Sequence, residues 1–145
     1  MKRIFIDADK CSGCKNCAVA CMRAHNYEET FNISSPNLES RNTILLDAKN
    51  AYKPLFCRHC EKPHCVESCM SGAMFKDKES SHVLYNKEQC AQCFMCVMCC
   101  PYGVLKPSKS NIYVVKCDFC KDVDGSPSCV KNCPKKAIYV KEVPA

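Results

Sequence analysis

The chain has 145 residues, among them 17 cysteines, four glycines and no tryptophan. This length predicts one compact domain or two small ones. The formal net charge is +6, but no basic stripe interleaved with aromatic residues is present, which argues against a nucleic-acid-binding protein. No apolar stretch approaches the length of a transmembrane helix. So high a cysteine content is typical of a disulfide-stabilised protein or of a metal protein.

Short strands and short helices are predicted along the whole chain. A strand at residues 4–7 leads into a cysteine-rich loop and then into a helix at residues 17–25. The polar segment 26–40 is predicted to be an exposed loop. Further strands are predicted at residues 43–47, 83–86 and 112–115, a second helix at 96–100, and helical turns that lead into edge strands at 73–75 and 137–139. This pattern predicts an α+β fold.

Sixteen of the seventeen cysteines form four groups of four. The first and third groups have the spacing C-x2-C-x2-C-x3-C, in which three close thiolates bind one iron–sulfur cluster and the fourth binds another. The second and fourth groups keep both ends of this spacing and widen its middle. The groups are Cys11, Cys14, Cys17, Cys21; Cys57, Cys60, Cys65, Cys69; Cys90, Cys93, Cys96, Cys100; and Cys117, Cys120, Cys129, Cys133. They supply the ligands for four [4Fe-4S] clusters.

Disulfide bonds and structural zinc fit the cysteine pattern less well. The apolar run at residues 4–6 is far too short for the core of a signal peptide, and the number of cysteines is odd. A structural zinc site usually combines two separated C-x2-C pairs, and the pairs Cys57/Cys60 and Cys117/Cys120 would serve one. The third close cysteine in the first and third groups favours iron–sulfur clusters. A structural zinc module is therefore a remote alternative.

Cys99 and the histidines lie outside the four groups. The ferredoxin spacing selects Cys100 as the ligand, so Cys99 is predicted to be a small buried hydrophobic residue, with a spare ligand as the minority alternative. Each set of four ligands is complete without a histidine. His59 and His64 are therefore predicted to be hydrogen-bond donors near the clusters or simple loop residues.

The sequence contains two internal repeats of loose similarity. A shift of 79 residues superimposes the first cysteine group and its preceding strand on the third group and its strand. A shift of 64 residues superimposes Cys65 and Cys69 on Cys129 and Cys133.

The apolar core predicted from the sequence is thin, so the clusters must act as much of the core and folding should be coupled to their insertion. Four clusters with their thiolates carry a charge of about −8, which the basic side chains mostly balance.

Five segments carry a resemblance to a known family. They are CSGCKNC at residues 11–17 (with Cys21 and His25), CRHCE at 57–61, CPYGV at 100–104, KCDFC at 116–120 and CPKKAI at 133–138. Together they resemble the four-cluster ferredoxin-type electron-transfer subunits of molybdenum or tungsten oxidoreductases, formate dehydrogenases, hydrogenases and CO dehydrogenases. The opening residues 2–7 are most similar to the CO dehydrogenase-associated type. The resemblance marks His25 as a packing position.

The resemblance implies two intertwined ferredoxin-like modules related by a pseudo-twofold axis, with cores built around iron–sulfur clusters. Residues 1–48 and 111–145 would form one module and residues 49–110 the other, each with two clusters. The implied ligands cross between groups. The sets are Cys11, Cys14, Cys17, Cys133 (cluster 1); Cys57, Cys60, Cys65, Cys100 (cluster 2); Cys90, Cys93, Cys96, Cys69 (cluster 3); and Cys117, Cys120, Cys129, Cys21 (cluster 4).

The implied function is a non-catalytic subunit that relays electrons between a catalytic oxidoreductase and a second redox protein in anaerobic metabolism. The catalytic partner would be a CO dehydrogenase, a formate dehydrogenase, a hydrogenase or an aldehyde oxidoreductase. No acid–base pair, nucleophile constellation or phosphate-binding loop is recognisable, so no substrate chemistry is expected. The absence of an export signal and of the membrane-contacting extension of larger relatives predicts a cytoplasmic protein without a membrane span. A free-standing polyferredoxin that carries electrons between enzymes is the alternative.

Overall fold

The computed structural model of the protein describes residues 1–25 and 38–144. Within these ranges, eight short strands, four short α-helices and one 3₁₀ turn at Lys87–Gln89 alternate along the chain. The strands and helices are β1 (Lys2–Ile6), α1 (Asn16–Ala24), β2 (Thr43–Leu46), β3 (Tyr52–Leu55), α2 (His64–Glu67), β4 (Met74–Lys76), β5 (Val83–Tyr85), α3 (Met95–Cys99), β6 (Lys106–Pro107), β7 (Val114–Val115), α4 (Ser128–Lys131) and β8 (Ile138–Glu142). The predicted α+β class is confirmed.

The strands of the described residues form four antiparallel pairs. The pair β1–β8 joins the two ends of the chain in a register that runs from Lys2 opposite Glu142 to Ile6 opposite Ile138. The other three pairs are the hairpins β2–β3, β4–β5 and β6–β7. Both predicted module boundaries, at 48–49 and 110–111, fall in the turns of hairpins.

The helices pack in two pairs, α1 against α4 and α2 against α3. Helix α4 also packs on β8, and α2 packs on β4. One hydrophobic cluster combines Cys17, Cys129 and Ile138 from the chain ends with Phe56, which follows β3. The other combines residues from the middle of the chain with Val114 of β7; its members are Met74, Cys96, Val104, Leu105 and Val114. No helix in the described ranges is long and apolar enough to cross a membrane.

Most predicted elements are found, with shifted ends. The strands predicted at 4–7, 43–47 and 83–86 correspond to β1, β2 and β5, and the helix predicted at 17–25 corresponds to α1. Helices α2 and α4 lead into β4 and β8 as predicted for the turns before 73–75 and 137–139. Most of the predicted loop 26–40 lies outside the described residues.

Three expectations from the sequence need correction. The strand predicted at 112–115 is limited to Val114–Val115, because the backbone N–H groups of Ile112 and Tyr113 donate to Ser108 Oγ in a turn. The helix predicted at 96–100 ends at Cys99, because the residue before Pro101 is driven towards extended backbone. Strands β3 and β6 were not predicted; both contain a proline, which the sequence pattern does not favour within a strand.

The short elements generate a prediction about the metal-free protein. Two-stranded hairpins and helices of fewer than about 12 residues are marginally stable by themselves in water, and both hydrophobic clusters include cysteine thiols. Apoprotein prepared with acid and chelator should therefore lose cooperative thermal unfolding in circular dichroism, whereas the anaerobically purified metal-loaded protein in the same buffer should unfold cooperatively. A sharp transition in the apoprotein would show that the apolar core is sufficient.

Candidate metal centres

Four thiols from the two ends of the chain line one pocket. Cys11, Cys14 and Cys17 come from the loop before α1 and its first turn, and Cys133 follows α4. The pocket has a volume of about 410 Å³. Burial raises the pKa of Cys17 to about 11, and the three neighbouring thiols add to this effect. The electrostatic coupling shows that the four sulfur atoms lie close together.

A second pocket, of about 300 Å³, is lined by Cys21 and the three cysteines of the last group that precede Cys133. These are Cys117, Cys120 and Cys129. Burial raises the pKa of Cys129 to about 12, with contributions from Cys21 and Cys120. Burial also raises the pKa of Cys117 well above its ordinary value. Cys21 reaches this pocket because α1 packs against α4.

A third pocket, of about 360 Å³, is lined by Cys57, Cys60, Cys65 and Cys100. Burial raises the pKa of Cys65 to about 12, against the opposing charge of Lys116 and with contributions from Cys57 and Cys100. Because α3 ends at Cys99 and the chain turns outward into Pro101, Cys100 faces the second cysteine group rather than its own.

The remaining four cysteines of the four groups differ in burial: Cys96 is buried, and Cys69 and Cys90 are half-buried. Burial raises the pKa of Cys96 to about 11, and the nearby thiols Cys69 and Cys90 contribute. Cys93 is exposed on the loop between Cys90 and α3. Burial and a hydrogen bond to Cys90 raise the pKa of the Tyr85 hydroxyl. Cys69 and Cys96 meet because α2 packs against α3.

In each of the three pockets the last cysteine of one group joins three cysteines of another. These are the same thiols that the family resemblance combines for clusters 1, 2 and 4. Four thiolates around one cavity match the soft, four-ligand donor set that an iron–sulfur cubane requires. The residues therefore fit the group, and the assignment of individual ligands stays a prediction.

The cysteine loops repeat an unusual backbone conformation. Gly13 and Gln92, which are 79 residues apart, have φ values of 72° and 60°, and Lys15 and Phe94 have 63° and 54°. Left-handed backbone is uncommon outside glycine. It turns the chain tightly between close ligands, and it brings the N–H of Gln92 to 3.4 Å from Cys90 Sγ. The repeat in the sequence is therefore also a repeat of local geometry.

A cation over an aromatic ring lies at two of the pockets. Lys15 Nζ lies 3.9 Å from the ring centroid of Tyr52 at the first pocket, and the Arg58 guanidinium lies 4.1 Å from that of Tyr102 at the third. Gly13 permits the approach of Tyr52, because a Cβ at this position would lie 3.1 Å from Tyr52 Cβ. Both arrangements cover thiols with apolar area and place a positive charge near them.

His25, which the resemblance marks as a packing position, has a buried side chain that also makes polar contacts. Its Nδ1 donates to Cys21 O at 2.9 Å and lies 3.7 Å from Cys21 Sγ, and its Nε2 donates to Asp118 Oδ1 at 3.0 Å. Burial alone would lower the pKa of His25, but the hydrogen bonds to Asp118 and Cys21 raise it to about 10. The histidine is therefore a cation beside Cys21.

Asp118 holds this histidine in place. Its other oxygen accepts from Arg41 Nη1 at 2.6 Å, and Oδ1 also accepts the N–H of Cys120 at 2.9 Å. Burial would raise the pKa of Asp118, but His25 and Arg41 lower it to about 2. His25, Asp118 and Cys120 have donor atoms within 4.8 Å of one another, a spacing that could hold a metal ion. The hydrogen bonds account for this proximity. Sequence reasoning missed the network because its members are far apart in the chain.

His59 and His64 have different surroundings. His59 is 1% exposed, and its ring lies 4.7 Å from that of His82 and 6.1 Å from that of Phe119, centroid to centroid; the His82 and Phe119 rings are stacked on each other at 4.3 Å. Its Nδ1 accepts the N–H of Val83 at 3.1 Å, and its Nε2 has no hydrogen-bond partner among the described residues. Burial lowers the pKa of His59 well below its ordinary value. His64 is exposed and lies 3.5 Å from Glu67.

Cys99 is half-buried rather than fully buried. Its Sγ lies 3.0 Å from Ser68 Oγ and donates to Cys96 O at 3.5 Å. These contacts place it between α2 and α3. The thiol therefore contacts Ser68, which directly follows α2, and the backbone of its own helix.

The fold and the site define a class of protein: a small α+β chain that gathers cysteine thiols in sets of four, the donor arrangement of metal-cluster proteins. The sequence model of the 4Fe-4S dicluster domain family matches residues 48–143. The chain belongs to this family. The predicted [4Fe-4S] type of cluster and the resemblance to iron–sulfur subunits are thereby confirmed.

Similar proteins are known over nearly the full chain. The B subunit of anaerobic dimethyl sulfoxide reductase of Escherichia coli (strain K12) is 33% identical over 144 residues, which cover 92% of this chain and 70% of that subunit. The electron transport protein HydN of the same organism is 31% identical over 150 residues, which cover 93% and 85%. The putative oxidoreductase AegA of that organism is 34% identical, but the chain spans only 21% of its length.

A solved structure has a similar fold. A chain of the active site complex BamBC of benzoyl coenzyme A reductase, in complex with benzoyl-CoA, matches with a TM-score of 0.53 and 27% sequence identity. The match covers 97% of this chain and 79% of that chain.

Cys99 and Cys100 provide a matched pair of variants. Cys99→Ser keeps a hydrogen-bonding group opposite Ser68, so all cluster signals in electron paramagnetic resonance and the full iron content should remain. Cys100→Ser removes a thiol from the third pocket, so one cluster should be lost or converted to a three-iron form. Iron loss from the Cys99 variant with a normal Cys100 variant would reverse the assignment.

Proposed function

We propose that the chain is a non-catalytic electron-transfer subunit that carries four [4Fe-4S] clusters and relays electrons between a catalytic oxidoreductase chain and a second redox protein. The observation that carries the proposal is the gathering of cysteines from distant segments into sets of four. Four thiolates in one set satisfy the four irons of one cubane. Family membership supports the cluster type.

We assign the ligands in crossed sets. The first cluster is held by Cys11, Cys14, Cys17 and Cys133; the second by Cys57, Cys60, Cys65 and Cys100; the third by Cys69, Cys90, Cys93 and Cys96; and the fourth by Cys21, Cys117, Cys120 and Cys129. The lining of three pockets and the coupling of Cys96 to Cys69 and Cys90 support these sets.

The same sets divide the protein into two ferredoxin-like modules related by a pseudo-twofold axis. Residues 1–48 and 111–145 form one module and residues 49–110 the other. The pairing of β1 with β8, the packing of α1 on α4 and the packing of α2 on α3 support this division.

The sets follow one another in a row. Helix α1 carries Cys17 of the first set and Cys21 of the fourth, so these two sets adjoin. Lys116 Nζ contacts both Cys57 Sγ and Cys117 O, so the fourth and second sets adjoin. Cys96 lies on α3 and Cys100 directly follows this helix, which links the second set to the third. We infer an electron path that crosses the protein in this order.

The surrounding residues hold the thiolates and their charge. A bound [4Fe-4S] cluster accepts and releases a single electron. Backbone N–H groups donate to Cys21 Sγ from Arg41 at 3.3 Å, to Cys69 Sγ from Met74 at 3.4 Å and to Cys133 Sγ from Ala137 at 3.3 Å. Hydrogen bonds to sulfur stabilise the more negative, reduced state, whereas the exclusion of water disfavours it, and the two effects together set the reduction potential.

The relatives support a partner that is an oxidoreductase. One is named as a subunit of dimethyl sulfoxide reductase and another as an electron transport protein. These relatives do not single out a CO dehydrogenase. We therefore propose four alternative catalytic partners: a CO dehydrogenase, a formate dehydrogenase, a hydrogenase or an aldehyde oxidoreductase. We place the complex in the cytoplasm.

Anaerobic purification of the protein at its natural abundance tests this function. The proposal predicts about sixteen iron and sixteen sulfide atoms per chain, four of each for every cubane, and co-elution with a larger catalytic chain. Full iron content in a chain that elutes alone would instead support the free-standing polyferredoxin. Abundant zinc with little iron would contradict the electron-transfer function and support the zinc module.

A further inference from the structure

Lys116 is a buried lysine whose ammonium group is fully engaged. The residue is 4% exposed. Its Nζ donates to the carbonyl oxygens of Val83 and Cys117, the latter at 2.9 Å, and to Cys57 Sγ at 3.4 Å. An ammonium group has three donors, so each has an acceptor. Burying an unpaired cation is costly, and the three acceptors offset this cost.

Two of the three acceptors belong to cysteines of different thiol sets: Sγ of Cys57 and the backbone carbonyl of Cys117. Cys57 lines the pocket of the second set, and Cys117 lines the pocket of the fourth. One ammonium group therefore contacts both cysteines directly. Lys116 Nζ therefore lies at the junction between the sets, at the midpoint of the row in which the four sets follow one another.

The neighbouring aromatic residues do not provide this charge. Val83, whose carbonyl accepts from Lys116, donates its N–H to Nδ1 of His59, which leaves that ring neutral. His82 lies against the His59 ring at a centroid distance of 4.7 Å, and its Nε2 contacts Lys2 O at 2.8 Å. The junction is thus built from one cation and neutral rings, which hold water away from the ammonium group.

We propose that Lys116 is a positioning residue shared by two clusters: its ammonium group raises the reduction potentials of the clusters held by the second and fourth sets together. This inference rests on the proposed function. A positive charge favours the reduced form of a nearby cluster because reduction adds a negative charge. Burial keeps the charge from being screened by salt.

The shared position has a consequence for electron flow. One ammonium group near both sets changes both potentials in the same direction, so it leaves the difference between these two potentials nearly unchanged. The same charge makes the reduction potentials of this middle pair of clusters differ from those of the outer clusters, which the first and third sets hold. It also offsets the repulsion between two negatively charged thiolate sets that adjoin at Cys57 and Cys117.

Lys116→Met and Lys116→Gln remove the charge, and Lys116→Arg keeps it. Redox titration followed by electron paramagnetic resonance should show two of the four clusters lowered in each neutral variant. The expected change is at least tenfold in the one-electron reduction equilibrium, which corresponds to about 59 mV. The Arg variant should stay near the wild-type potentials. Lys141→Met, which removes an exposed lysine of β8, is the matched control and should give a small shift that vanishes in 1 M salt.

Unchanged potentials in both neutral variants, a shift of a single cluster, or an equal shift in the Arg variant would overturn the proposal. The neutral variants could also lose iron. Loss that is confined to two clusters and does not occur in the Arg variant supports the requirement for a cation, whereas loss in the Arg variant as well overturns this requirement. Iron content of the wild-type protein separates this result from the function itself. A wild-type chain without four clusters contradicts the proposed function, whereas four clusters with unshifted potentials contradict only the role of Lys116.

Discussion

The structure depends on the exchange of single cysteine thiols between distant segments. Cys133 reaches the pocket of the first cysteine loop, Cys21 reaches that of the last, and Cys100 reaches that of the second. No cysteine group completes one of these three pockets by itself. Because each exchange closes a long loop, its entropy cost must be offset by metal–thiolate bonds as well as by packing. The pairing of β1 with β8 and the packing of α1 on α4 bring the same distant segments together through the backbone and the helices.

Positive groups are distributed among these thiol sets. Lys15 lies at the first pocket and Arg58 at the third, each over a tyrosine ring. His25 and Arg41 reach the second pocket through Asp118, and Lys116 lies between two sets. The net charge of +6 is thus understood as a counter-charge to thiolates and clusters. It needs no nucleic-acid partner to explain it.

Cysteine spacing predicted much of the site, because ligands of one cluster must lie close together and their separations in sequence are fixed by loop geometry. Strands β1, β2 and β5 were also predictable from short apolar runs. The sequence did not reveal the network of His25, Asp118 and Arg41 or the position of Lys116, because these contacts join residues that are 33 to 93 positions apart. Strand β3 was not predicted because it contains Pro54, which the sequence pattern does not favour in a strand. The strand forms because it pairs with β2, and this pairing depends on the rest of the fold.

The crossed exchange of ligands can be measured directly. Crystals of the anaerobically purified protein, with diffraction recorded at the iron absorption edge, would locate the iron atoms and the sulfur atoms bound to them. The account predicts that Cys133 binds iron together with Cys11, Cys14 and Cys17, and that Cys21 binds iron held by the last group. Iron bound to Cys21 together with Cys11, Cys14 and Cys17 would contradict the account. The four groups would then be separate sites without a continuous electron path.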